Sequence, residues 1–212
     1  MLIIFASMSS NTLFITYACN RTDEDYDKDM AEILLVRHAK SYANKQDFTV
    51  FGNEDSPLED EKGIPQAIAL NGLFKQHHGI SPESYSHPVL ASKYVRPQQT
   101  AQYAGFEYID ASELINESNL ERAHLSGKDA IAKHARERWV PDETKERAIR
   151  LIECVRSGEL AYEIYFTHGL FIAAVMLQLS DEAEIRGYDF PHVFGEKRGY
   201  IPDLATVTSA TI

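Results

Sequence analysis

"ILLVRHAKSYAN", residues 33–44, is the stretch that decides the fold. Its first four residues, 33–36, form the short and continuously apolar run that is typical of a strand covered on both faces. This run ends directly in Arg37 and His38, and a polar loop follows. Because open parallel sheets bind ligands beyond the carboxyl ends of their strands, the stretch predicts a buried strand that presents an Arg-His pair to a ligand.

Two further short and mainly apolar runs, 88–91 and 162–166, are predicted strands that repeat this arrangement along the chain. Polar residues follow each run, beginning at Ser92 after the first and including His168 after the second. Helical patterns lie between and after the runs, at 63–76, after Ser92 and at 170–179. Strands that alternate with helices predict an α/β fold, with a mainly parallel central sheet flanked by helices.

The charged stretch 126–156 is helical in pattern and contains one interruption. Pro141 is expected to end the first helix of this stretch, and Thr144 is expected to cap the second. The stretch therefore predicts a small helical cap insertion, at about 118–158, within an α/β domain that spans 30–212. A final strand is expected within the last residues, where β-branched side chains follow one another.

The composition narrows the classes of ligand. The chain has 212 residues, and its 32 acidic residues against 21 Lys and Arg give a formal charge of −11. That balance disfavours nucleic acid and anionic membranes as partners, although it allows a local basic pocket. The two cysteines, Cys19 and Cys154, lie far apart, and the histidines have no metal-ligand spacing. The sequence therefore predicts no metal and no cofactor.

The segment 1–29 differs from the rest of the chain. It contains two short apolar runs without a positive start, followed by a highly charged stretch. This pattern fits neither an ordinary signal peptide nor a membrane span. We interpret 1–29 as a leader or an unstructured extension, and we expect the protein to be cytoplasmic. The alternative is an exported protein, if residues 1–19 act as a degenerate signal.

Four motifs resemble the histidine phosphatase superfamily, which includes cofactor-dependent phosphoglycerate mutase. They are "LVRHAKSYAN", "DSPLEDEKGIPQA", "LASKYVRPQQTA" and "FTHG", and they occur in the family's order over residues 35–169. A single Arg-His pair would be a weak signal, whereas four motifs in order are specific. The resemblance implies a phosphatase whose nucleophile is a histidine.

By position, the resemblance assigns roles to seven residues. His38 would be the nucleophile, and His168 would be the second histidine at the same phosphoryl group. Glu117 would be the general acid, with Glu113 and Glu121 as nearby alternatives. The implied phosphate-binding residues are Arg37, Ser41, Asn44 and Arg96. These residue types suit the chemistry, because neutral imidazole attacks phosphorus and planar guanidinium groups bind phosphate oxygens.

The chain departs from the family's pattern in four places. Ala39 replaces the usual Gly after the first histidine, and Lys40 stands where Glu or Gln is common. Glu59 replaces the usual Thr, and Ser118 stands where mutase-type members carry Arg. Lys40 is expected to add positive charge beside the pocket. The changes at 59 and 118 bear on the substrate more than on the chemistry.

The sequence predicts a metal-independent phosphomonoester hydrolase that acts through a phosphohistidine on a small phosphorylated substrate. One alternative is a protein phosphohistidine phosphatase, since "RHAKS" also resembles compact members with that role. Another is a pseudoenzyme that binds phosphate without turnover. Phosphoglycerate mutase activity is less favoured, because the insertion between Glu117 and His168 is modest. The specific substrate and the oligomeric state do not follow from the sequence.

Overall fold

A computed structural model of the chain describes residues 2–9, 12–19, 32–45, 56–117, 127–185 and 207–212. Its strands are β1 Leu2–Ser9, β2 Thr12–Cys19, β3 Glu32–Arg37, β4 Val89–Ser92, β5 Ile109–Ser112, β6 Ile164–Thr167 and β7 Val207–Thr211. Its α-helices are α1 Gly63–Leu73, α2 Val95–Ala104, α3 Gly127–Glu137, α4 Asp142–Arg156 and α5 Gly169–Ile185. Short 3-10 turns lie at Tyr42–Lys45, Pro82–Ser84 and Glu113–Ile115, and a π-helical turn, Phe74–His78, extends α1.

The central sheet has the order β7-β3-β6-β4-β5. β3, β6, β4 and β5 are parallel to one another, and β7 is antiparallel to β3. The antiparallel pair β1-β2 continues the sheet beyond β7, with β2 parallel to β7. The prediction of an α/β fold with a mainly parallel sheet flanked by helices is therefore confirmed.

The four apolar residues of β3 serve both faces of the sheet, because successive side chains of a strand alternate. Ile33 and Leu35 join one buried cluster together with side chains of α4 and α5. Leu34 and Val36 join a second buried cluster with side chains of α1 and α2. Helices on both faces explain why the run is continuous rather than alternating in polarity.

Three local expectations differ from the structure. β5 was not predicted, because its residues "IDAS" are partly exposed and carry little apolar signal. The predicted helix over 63–76 is α-helical only to Leu73, and a π-helical turn completes it. Thr144 does not cap α4: the helix begins at Asp142, with Pro141 as its N-cap residue, and Thr144 is buried in the first turn.

The predicted domain boundaries stay predictions. β1 and β2 lie within the segment 1–29, the predicted leader or unstructured extension. α4 lies within the predicted cap region and packs on α5. Among the described residues, no helix is both long enough and apolar enough to cross a bilayer.

Candidate active site

Two histidines meet at the carboxyl ends of neighbouring parallel strands. His38 follows β3 and His168 follows β6, and the register pairs Arg37 with Thr167. The backbone N–H of His38 donates to the carbonyl oxygen of Thr167 at 3.0 Å, which extends the ladder by one residue. The two imidazole rings are 5.1 Å apart, edge to face, and both are buried. Strand pairing therefore sets the distance between the histidines.

The ring of His38 is held in one tautomer by its own loop. Its Nδ1 lies 2.7 Å from the carbonyl oxygen of Ala39. A carbonyl oxygen only accepts, so Nδ1 carries the proton and Nε2 has the lone pair. The Nε–H of Arg96 donates to that Nε2 at 3.2 Å. The unprotonated nitrogen of His38 therefore faces the guanidinium group of Arg96.

The ring of His168 is held in the opposite tautomer by a chain of hydrogen bonds. Its Nε2 lies 2.9 Å from Oγ of Ser92. The Ser92 hydroxyl donates to Oδ1 of Asn116 at 2.8 Å, and the backbone N–H of Lys93 donates to the same oxygen at 2.9 Å. Because the serine proton is used there, His168 donates from Nε2, and its Nδ1 accepts from Arg96 at 3.3 Å.

Burial and positive charge keep both rings neutral. Burial lowers the pKa of His38 well below its ordinary value, and the charges of Arg96 and Arg37 lower that pKa further. The pKa of His168 is lowered for the same reasons, with His38 as an additional cause. Neutral imidazole, with a lone pair on one ring nitrogen, is the form of histidine that can act as a nucleophile.

Glu117 brings a carboxyl group to the same place. Its Oε2 lies 3.7 Å from Nη2 of Arg96 and 3.9 Å from Nδ1 of His168. Its carboxyl group also accepts a hydrogen bond from the backbone N–H of Leu170, in the first turn of α5. Burial raises the pKa of Glu117, and the arginine charges oppose that rise without cancelling it. The structure therefore places a carboxyl group with a raised pKa beside the two histidines.

The two alternative glutamates have different positions. Glu113 lies on the exposed surface, where its carboxylate pairs with Lys93 at 2.9 Å. Glu121 lies outside the described residues. Of the described candidates, Glu117 is therefore the one in contact with the histidine site.

The remaining predicted phosphate-binding residues differ in position. Arg37 ends β3, and its charge acts on both histidines and on Glu117. Ser41 is buried, and both its backbone N–H and its hydroxyl donate to Oδ1 of Asn44, at 2.9 and 3.0 Å. Asn44 is otherwise exposed. The structure thus brings Arg37 to the centre, while the pocket-lining role of Ser41 and Asn44 stays a prediction.

The loop after His38 is fixed by both neighbouring helices. The backbone N–H of Ala39 donates to Oγ1 of Thr100 at 3.0 Å, and the Thr100 hydroxyl donates to the carbonyl oxygen of Arg96 at 2.7 Å. On the other side, a Cβ at Gly63 would lie 1.9 Å from the carbonyl oxygen of Lys40. Position 63 must therefore be glycine for the loop to pack against α1.

Two of the departures from the family's pattern contact each other. Nζ of Lys40 lies 3.0 Å from Oε2 of Glu59, whose side chain is only 3% exposed. The backbone N–H of Glu59 also donates to the carbonyl oxygen of Lys40 at 2.9 Å. The expectation that Lys40 adds positive charge to the pocket is therefore corrected, because a nearly buried carboxylate pairs with that charge.

Sequence reasoning assigned no role to Ser92, Tyr94 or Asn116, which all contact the site residues. Ser92 and Tyr94 lie within the "LASKYVRPQQTA" motif, and Asn116 directly precedes Glu117. The contacts of Ser92 and Tyr94 with Asn116 and Glu117 depend on the pairing of β4 with β5, in which Ser92 lies opposite Ser112. Because β5 was not predicted, no local signal indicated that these side chains meet.

Comparisons with known proteins found one matching family and a set of similar solved structures. The family model of the histidine phosphatase superfamily (branch 1) matches residues 33–194. A mycobacterial glucosyl-3-phosphoglycerate phosphatase is 19% identical, with a TM-score of 0.49 over 72% of this chain and 80% of that one. A phosphoglycerate mutase from Thermus thermophilus is 26% identical, with a TM-score of 0.46 over 69% and 82%. No curated protein sequence matches the chain.

The prediction that the protein needs no metal concerns the side chains that could bind a metal ion. Within the described part of the chain, no group of three or more His, Cys, Asp and Glu side chains is placed to hold a metal ion. Independence from metals stays a prediction that activity measurements must test.

Proposed function

The chain belongs to branch 1 of the histidine phosphatase superfamily, and from this premise we propose that it hydrolyses small phosphomonoesters without a metal, through a phosphohistidine at His38. The observation that carries the proposal is the neutral Nε2 of His38. It is turned toward the guanidinium group of Arg96 in a buried site that also holds a second histidine and a carboxyl group. This combination suits phosphoryl transfer to nitrogen.

Substrate binding would redirect the donors of Arg96. In the structure these donors point at ring nitrogens of His38 and His168. A phosphate dianion is a stronger acceptor than a ring nitrogen, so the guanidinium group moves its hydrogen bonds to phosphate oxygens. The same negative charge raises the pKa of His168, which then takes up a proton and donates from Nδ1. Arg37 adds a second positive charge to the site.

In the first step, the lone pair on Nε2 of His38 attacks phosphorus. The bond between phosphorus and the ester oxygen breaks, and that oxygen takes the proton of the Glu117 carboxylic acid. Because burial raises the pKa of Glu117, part of the population carries this proton at the start. The products of the step are the alcohol, a phosphohistidine and the Glu117 carboxylate.

In the second step, a water molecule attacks the phosphohistidine. The water gives a proton to the Glu117 carboxylate, the N–P bond breaks, and its electron pair returns to Nε2. Inorganic phosphate leaves, and both side chains regain their starting forms. One carboxyl group thus serves as acid and then as base, which is why a raised pKa is useful.

The test is hydrolysis of p-nitrophenyl phosphate in EDTA from about pH 5 to 8, with wild type and His38→Ala. We expect activity that survives chelation and falls by about 10³-fold or more in the variant. His87→Ala is the matched control, because His87 lies exposed on the surface. Undiminished activity in His38→Ala would overturn the proposal.

Other outcomes would identify the alternatives. Tight vanadate binding without turnover or covalent phosphate would identify a phosphate-binding pseudoenzyme. Selective turnover of a phosphohistidine protein, with poor activity on small esters, would identify a protein phosphohistidine phosphatase.

A further inference from the structure

Tyr94 is a buried aromatic residue in a short connection between β4 and α2. Only 5% of its surface is exposed, although it lies outside both elements. Its backbone is extended, with φ −67° and ψ 146°, at the N-cap position of α2. This conformation directs the chain into the helix that carries Arg96. A large polar side chain buried at this point needs partners on several sides.

The ring of Tyr94 contacts two residues of the proposed site. The guanidinium carbon of Arg96 lies 4.9 Å from the ring centroid, within the range of a cation–π interaction. The ring of His168 lies 4.9 Å from that of Tyr94, with the two planes at 68°. The tyrosine ring therefore supports both the arginine and the second histidine.

The hydroxyl group of Tyr94 contacts a third residue of the proposed site, Glu117. It donates to the backbone carbonyl oxygen of Glu117 at 3.1 Å. Ser92 and Lys93 donate to the side chain of the preceding residue, Asn116. The end of β4 and the connection 93–94 thus hold the segment that carries the carboxyl group.

We propose that Tyr94 is a positioning residue, with separate tasks for its hydroxyl and its ring. The hydroxyl holds the backbone of Glu117 so that the carboxyl group reaches the leaving oxygen. The ring holds Arg96 and His168 against the phosphoryl group. This inference rests on the proposed function, and it goes beyond it by assigning a role to a residue that touches neither substrate nor nucleophile.

Tyr94→Phe separates the two tasks, because it removes the hydroxyl and keeps the ring. Phenyl phosphate differs from p-nitrophenyl phosphate only by the missing nitro group. Phenolate is therefore the more basic leaving group and depends more on the acid. We expect kcat/KM, which covers the steps through cleavage of the ester bond, to fall about tenfold for phenyl phosphate and to change less than about twofold for p-nitrophenyl phosphate. Vanadate inhibition should be unchanged.

Tyr94→Leu removes the ring as well. We expect vanadate affinity to fall about tenfold, and activity on both substrates to fall as well. The reason is that Arg96 and His168 lose their contact with the tyrosine ring. Tyr103→Phe, on the exposed surface of α2, is the matched control. It should leave kcat/KM for both substrates unchanged. Thermal midpoints of all variants separate loss of folding from loss of positioning.

The outcomes distinguish this inference from the proposed function. If Tyr94 had a merely structural role, Tyr94→Phe would lower kcat/KM for both substrates by the same factor. That result, or no effect at all, would overturn the inference while wild type stays active and His38→Ala stays inactive. An inactive wild type, or an active His38→Ala, would overturn both.

Discussion

The surroundings of His38 and His168 differ more than their positions do. Both histidines follow buried parallel strands, and both are buried among positive charges. His38 is oriented by the backbone carbonyl of the next residue, Ala39, and presents Nε2. His168 is oriented by a side chain from another strand, Ser92, and presents Nδ1.

This difference indicates how two identical side chains can have different tasks. A backbone carbonyl close to His38 keeps its tautomer whatever happens elsewhere, which suits a nucleophile that must be neutral. The Ser92 hydroxyl is tied to Asn116, so the orientation of His168 depends on the segment that carries Glu117. The second histidine is therefore the one whose proton and position can respond to the rest of the site.

Trapping of the covalent intermediate gives the largest expected effect. Wild type mixed with labelled substrate and quenched in base, where phosphohistidine is stable, should retain label. His38→Ala should retain none, because the attacking nitrogen is absent. His168→Ala should still form the labelled species, with a rate reduced about 10²- to 10³-fold. Label that vanishes in His168→Ala and persists in His38→Ala would reverse the two assignments.

Substitution of Arg96 gives the second-largest expected effect, because its guanidinium group is hydrogen-bonded to both histidine rings. Arg96→Lys keeps a charge but cannot donate in two directions from a planar group. We expect kcat/KM to fall about 10²- to 10³-fold, with weaker vanadate binding. Arg150→Lys is the control, because Arg150 pairs with Glu159 at the surface, away from the histidines. A loss below about threefold in Arg96→Lys would show that the bidentate geometry is unimportant.

Ser92→Ala tests the restraint that is specific to His168. The variant removes the acceptor of the Nε2 proton, which disfavours protonated His168 and lowers its pKa in the substrate complex. We expect kcat to fall about tenfold and the basic limb of the pH profile to move to lower pH. Ser84→Ala, at an exposed position, is the matched control. An unchanged pH profile would contradict the hydrogen-bond chain.

The pH dependence of stability gives the smallest effect. The pKa of each buried histidine is lowered from its ordinary value of 6.5. Below that value the unfolded chain binds protons that the folded protein does not bind. The stabilisation is therefore complete above about pH 6.5 and is lost as the pH falls toward the lowered pKa.

Each histidine then contributes about 1.4 kcal/mol per pH unit to the free energy of unfolding. Urea unfolding of wild type and His168→Ala at several pH values below neutrality measures this. In His168→Ala, the slope of the free energy of unfolding against pH should be smaller by the contribution of one histidine. The comparison is made between variants because the raised pKa of Glu117 acts in the opposite direction. Equal slopes would mean that His168 is protonated in the folded protein.

Much of the fold and the centre of the site follows from the sequence alone. The continuous apolar run of β3 predicts burial on both faces, and the polar residues after three predicted strands indicate a ligand site at one edge of the sheet. These signals are local, because an apolar run and the polar residues that follow it lie within a few residues of one another in the sequence. The same residues carry the family motifs, so the order of amino acids is enough to single out His38, Arg96 and His168.

Only the tertiary structure decided which side chains meet around these residues. The tautomers of the two histidines depend on Ala39 and Ser92, and the position of Glu117 depends on Tyr94 and on the weakly apolar strand β5. These contacts are set by strand order and register, which join residues far apart in the chain. No local pattern encodes them, because a side chain's partner across a sheet is determined by how the whole sheet is assembled.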